Sequence, residues 1–198
     1  MTLSSAWLSP GDSNPCASIF PLKTRRTVLK PFTHEDLPHL QQLYSKPEVM
    51  QFLGGMKSER ETVAILQDYI SQAETPLCPL AVFSHDGTFI GRSGLRRSRS
   101  YEVLQLHRPN GKIISRPLNR IIQVGYVIDV QFQRQGLASE VTKAVLQWGF
   151  QQLQLPEIVA LIHPDNYGSV RVARDKSGMK LEGCFLWNGL PWQFFRRG

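Results

Sequence analysis

Residues Ile121 to Ile128 form a nearly continuous apolar run, long enough for one strand and too short for a core helix. Eight residues further on, Gly136-Leu137-Ala138 opens a segment in which Leu137, Val141, Ala144, Val145, Trp148 and Leu153 recur at helical spacing. A buried strand delivered by a short turn into an amphipathic helix needs helical cover on its sheet. All-helical and all-sheet architectures are therefore excluded.

The rest of the chain alternates in the same sense. Arg26 to Lys30 alternates as a strand; Thr33 with Asp36, and Ser58 with Glu61, mark helix starts; Pro47 permits a short helix between them. Leu80 to Phe83 and Thr88 to Leu95 read as a hairpin around His85-Asp86-Gly87. Glu157 to Ile162 is a second buried strand, Asn166 to Lys176 a helix closing at Gly178. Leu181 to Trp187 and Trp192 to Phe195 make a terminal hairpin around Asn188-Gly189. The expected fold is α+β with three layers, a mixed and mostly antiparallel sheet carrying helices on both faces. Residues 1–20, rich in Ser, Pro and Gly, read as a flexible leader, and 21–198 as a single domain.

Charge is unevenly placed. The 198 residues hold 23 Lys and Arg against 16 Asp and Glu, a formal +7. Eight bases (Arg92, Arg96, Arg97, Arg99, Arg108, Lys112, Arg116, Arg120) lie between 92 and 120 beside a single acid, Glu102, so the remainder is neutral. A uniformly basic nucleic-acid coat is excluded. The segment reads as a hairpin around Pro109-Asn110-Gly111, solvated or reaching a second subunit of a homodimer or a ligand's phosphates. A nucleic-acid contact is the competing reading, and its affinity would fall steeply with salt. No run approaches the roughly 20 apolar residues that span a membrane. Cys16, Cys78 and Cys184 form neither a CxxC pair nor a disulfide frame, which points to a reducing, cytoplasmic setting; no metal site is expected.

The chemistry concentrates at Gln133-Arg134-Gln135-Gly136-Leu137-Ala138. Small residues let a ligand approach the backbone, and unpaired N–H groups at a helix start suit a phosphate. Strand, Gln-x-x-Gly-x-Ala and helix together resemble the acetyl-CoA-binding motif of the GNAT superfamily of N-acetyltransferases. Ile162-His163-Pro164-Asp165-Asn166-Tyr167-Gly168-Ser169 is similar to its second motif. Thr24 to Leu53, Val124-Gly125-Tyr126-Val127-Ile128 and Gly136 to Glu140 resemble the RimJ/RimL-like branch, which includes the ribosomal-protein alanine acetyltransferases.

The resemblance implies acetyl transfer from acetyl-CoA to a primary amine, either a protein N-terminal amine or a small molecule. It implies that the pantetheine pairs with the strand at Tyr126, Val127 and Ile128, and that the pyrophosphate meets Gln133, Arg134, Gln135, Gly136, Leu137, Ala138 and Ser139. It further implies that Asn166 holds the pantetheine and that Ser169 lies near the sulfur as a proton donor. Independently of that, Asn166 suits a helix N-cap. His163 has the titration range of a general base, and it also fits a structural role capping the strand end.

Four departures stand out. Gln123 occupies the place where the branch commonly has Glu; it cannot act as a base but could orient an acceptor by hydrogen bonds, and it leaves room for a chain that binds acyl-CoA without transferring. Gln133-Arg134 replaces the usual Trp-Gly. The stretch 166–178 carries one residue more than usual near Arg174-Asp175, which predicts a π-bulge. The basic insertion, about 96–120, exceeds the usual link.

Overall fold

The computed structural model describes residues 20–98 and 100–198. The leader reading, apart from Phe20, and Arg99 lie outside the described residues.

The alternation produces ten strands and five α-helices in chain order: β1 Leu22–Lys23, β2 Thr27–Pro31, α1 Leu37–Tyr44, α2 Pro47–Met50, α3 Glu59–Gln72, β3 Pro79–Ser84, β4 Phe89–Arg97, β5 Val103–His107, β6 Ile113–Pro117, β7 Ile122–Ile128, α4 Leu137–Gln151, β8 Ile158–Ile162, α5 Tyr167–Arg171, β9 Lys180–Trp187 and β10 Leu190–Arg197. They form one sheet ordered β1-β2-β3-β4-β7-β8-β10-β9-β5-β6. Among the described residues only β7 and β8 run parallel; the other neighbours are antiparallel. Among the described residues, no helix is long and apolar enough to cross a membrane.

Period-two alternation sends side chains to the two faces. Leu80, Val82, Val124, Ile128 and Ile158 pack under α4 with Leu137, Val141, Val145 and Trp148. Ala81, Phe83 and Val127 pack on the opposite face with Leu40, Leu43 and Tyr44 of α1 and Leu66 and Tyr69 of α3. The expected caps are in place. At Ser58 the side chain accepts from Glu61 N while the Glu61 carboxylate accepts from Ser58 N at 2.8 Å.

The predicted π-bulge is present: after α5 the chain makes a π-helix over Val172–Lys176. The wider turn takes up the extra residue, so Ala173 and Met179 still point into the core under α4.

Two readings need correction. First, β7 is not buried along both faces: Gln123, Gly125 and Tyr126 stay half-buried. The parallel neighbour β8 meets it at one register position, Gln123 with Val159, and the strands pair no further. Second, the basic hairpin does not stand free as a solvated arm. It crosses to the far side of the sheet, where β5 pairs with β9 at His107 and Cys184. Leu104 and Leu106 are buried there with Phe185 and Phe194. Arg108 pairs with Glu182 at 2.5 Å, and Arg116 pairs with Glu157, so two of its bases serve to dock it.

Candidate active site

The loop after β7 is fixed by its own side chains. Asp129 accepts from Gln131 N, and the Gln133 side-chain amide donates to the Ile128 carbonyl at 2.9 Å, folding the turn back on the strand. Arg134 at φ 59° and Gly136 at φ 81° both adopt left-handed backbone, which aims the N–H groups of Leu137, Ala138 and Ser139 out of the start of α4. Gln133 to Gly136 are exposed. The positive end of the α4 dipole therefore faces solvent beside a glycine.

Arg26, which sequence reasoning placed only in a strand, completes this corner. Its Nε donates to Glu140 at 2.7 Å, its Nη1 to the Gln135 carbonyl at 2.9 Å, and its Nη2 lies 3.5 Å from where a Cβ on Gly136 would sit. Thr24 Oγ1 donates to the same Glu140 carboxylate at 2.6 Å. Burial would raise the Glu140 pKa, but the hydrogen bonds from Thr24 and Arg26 outweigh it and hold the carboxyl below its usual value. The Thr-Arg-Arg-Thr run was the available signal; nothing local shows that it meets a helix 114 residues away.

Beyond Gln123, the edge of β7 that faces β8 is left without a strand partner over Val124 to Ile128, while its other edge is laddered to β4. This is a slot with free backbone donors and acceptors, suited to an extended amide-bearing ligand. Its far wall is the start of α5. Asn166 Oδ1 accepts from Ser169 N at 3.1 Å, so Asn166 is the N-cap. The Tyr126 hydroxyl spans the slot and donates to the Ser169 carbonyl at 3.0 Å. Burial pushes its pKa up to about 12, so it keeps its proton at neutral pH. The sequence offered no sign of this contact, because it depends on a 43-residue crossover.

On the α1/α3 side, Gln123 and Gly125 share a face with Val127, opposite Arg96, Gly94 and Arg92 of β4. His163 sits four residues beyond the β8 partner of Gln123, about 13 Å along a strand, and so is separated from it. Its ring stacks on Phe52 at 5.3 Å and meets Trp192 edge-on at 6.1 Å, while its Nδ1 accepts from Asp165 N at 3.2 Å. His163 thus packs among aromatic rings at the end of β8. Trp187 continues the aromatic cluster, 5.9 Å from Trp192. The structure thus brings Tyr126, Asn166 and Ser169 together at the slot, joins it to the Gln133–Ser139 loop, and leaves Gln123 and His163 apart.

A helix-start phosphate corner opening into a strand-edge slot, on this mixed sheet, defines an acyl-CoA-dependent acyltransferase class. The acetyltransferase (GNAT) domain model matches residues 26–180, and the chain belongs to that family. Among curated relatives, the uncharacterized N-acetyltransferase YoaA of Bacillus subtilis is 28% identical over 88% of this chain and 93% of its own length. The B. subtilis protein YnaD, likewise an uncharacterized N-acetyltransferase, is 40% identical over 32% of this chain and 36% of its own length. RimL, the ribosomal L7/L12 alpha-N-protein acetyltransferase solved with coenzyme A, superposes with a TM-score of 0.67, at 22% identity over 89% of this chain and 96% of that one. Spermidine N-acetyltransferase from Vibrio cholerae gives 0.64, at 18% identity over 86% and 94%. These two likenesses show the shared fold. The chain is an acyltransferase of the GNAT family with RimL-like architecture.

Proposed function

We propose that the protein transfers an acetyl group from acetyl-CoA to a primary amine by direct attack. The observation that carries this reading is the slot along Val124 to Ile128 running into the Gly136 helix start. The pantetheine would extend the sheet there, and the pyrophosphate would take the N–H groups of Leu137 to Ser139 with Arg26 and Arg134 beside them. A backbone N–H near Val127 would stabilise the oxyanion as the amine nitrogen bonds to the thioester carbon. The C–S bond then breaks, and the thiolate takes a proton from Tyr126 or Ser169, which face each other across the slot. Gln123 cannot act as a base: the acceptor enters neutral or first loses its ammonium proton to water, and water also takes the proton that the attacking nitrogen sheds as the amide forms.

A protein N-terminal amine is the first acceptor in this reading, because RimL is named for one; a small-molecule amine is the second, because the spermidine enzyme shares the fold. Gln123 also supports a non-catalytic reading in which acyl-CoA binds without transfer. Thiol release from acetyl-CoA over N-terminal peptides, polyamines and amino-acid analogues tests all three. Release with one class identifies the acceptor; tight acetyl-CoA binding with no release above background from any class favours the binding-only reading.

A further inference from the structure

One cation on the α1/α3 side of β7 has an unusual environment. Arg92 is half-buried, and between Ile90 and Leu95 it is the one charged residue of its strand. Its guanidinium lies over Tyr44 and Tyr69, 5.8 and 5.6 Å from the ring centres. Its Nε donates to the Tyr44 hydroxyl at 2.5 Å, and that hydroxyl shares a 2.8 Å hydrogen bond with Tyr69. Burial pushes the Tyr44 pKa up, so the phenol stays neutral and does not balance the charge. Among the described residues, no carboxylate forms an ion pair with Arg92, and neither Nη atom has a hydrogen-bond partner. Nη1 lies 3.7 Å from where a Cβ on Gly125 would stand, beside the strand that would carry the reacting thioester. Arg96, four residues on and on the same face, sits opposite Gln123.

We propose that Arg92 selects the acceptor by pairing with a carboxylate placed close to its primary amine. A guanidinium whose Nε is anchored and whose two Nη atoms remain free presents the fork that fits a carboxylate. The proposal rests on the acetyltransferase reading and narrows its acceptor. A free amino acid or a peptide beginning with Asp or Glu satisfies it; polyamines and aminoglycosides, purely cationic, meet repulsion. The same cation also lowers the pKa of a nearby ammonium, favouring the neutral amine at a site where Gln123 supplies no base.

The test uses matched pairs on the full protein with acetyl-CoA: free amino acids against their carboxamides, peptides beginning Asp or Glu against Asn or Gln, and spermidine. The expected result is a kcat/KM about tenfold or more higher for the carboxylate member of at least one pair set. Which set responds separates free amino acids from peptides. In Arg92→Gln that ratio falls to about twofold or less, while Arg92→Lys keeps part of it. Each ratio is read within one variant, so a general loss of folding or activity does not imitate the effect. Binding of the same pairs to the CoA-loaded protein is measured in parallel. No turnover with any amine overturns the acetyltransferase reading, whereas equal binding and turnover within every pair, or a preference for spermidine, overturns the role of Arg92.

Discussion

Lys46 Nζ lies 2.6 Å from Asp129 Oδ2 and thereby ties the entry of α2 to the end of β7. Asp129 is buried, so the pair joins the α1/α2 helices to the loop that would hold the donor. Lys46→Met leaves that carboxylate without its cation. The expected loss is about 2 kcal/mol, about 4–8 °C in Tm for a domain of this size. Asp129→Asn in the same background recovers part of it, which a double-mutant cycle by thermal melting checks.

Glu140 sets a pH dependence. Its folded-state pKa is below the usual glutamate value, so its contribution to stability is present above that value and lost as pH falls through the folded pKa. Glu140→Gln therefore melts lower than the parent at pH 7, and the two Tm curves converge as pH falls through the lowered folded-state pKa. Melting curves from pH 3 to 8 read this directly.

At Gly136 any side chain is strained at φ 81° and meets Arg26. Gly136→Val lowers acetyl-CoA affinity by about tenfold or more. Gly111→Ala, at φ 77° in the hairpin tip with open space around it, costs similar backbone strain without touching the loop. It leaves acetyl-CoA affinity unchanged by calorimetric titration.

Tyr126→Phe removes a hydroxyl that stays protonated far above neutral pH. With Tyr126 as the proton source, kcat falls about tenfold to a hundredfold with little change in the KM for acetyl-CoA. Ser169→Ala producing the larger drop assigns the proton to Ser169 instead.

The architecture was legible where signals are local. The capping box at Ser58, the turn at Asn188-Gly189 and the strand-to-helix passage at Gly136 each depend on a few adjacent residues, and all appear as read. The π-helix was legible for another reason, since one surplus residue in a helix of otherwise fixed ends has to widen a turn. Long-range pairing was not. Nothing in Val103 to Pro117 shows that the hairpin would dock on β9, because the partners Glu182 and Glu157 lie 41 to 74 residues away. For the same reason the loop and Asn166 were found as motifs, while Arg26, Arg92 and the Tyr126 hydroxyl, which work by reaching across the fold, were not. Gln123 was chosen by its place before Val-Gly-Tyr and His163 by its titration range at a strand end, and His163 lies four residues beyond the β8 partner of Gln123.

Amide hydrogen exchange with and without acetyl-CoA tests the central claim most directly. Alternate amides in Val124 to Ile128, those facing β8, and the amides of Leu137 to Ser139 are expected to slow by about tenfold or more on binding. Protection confined to other parts of the chain, with these two segments unchanged at saturating acetyl-CoA, would contradict it.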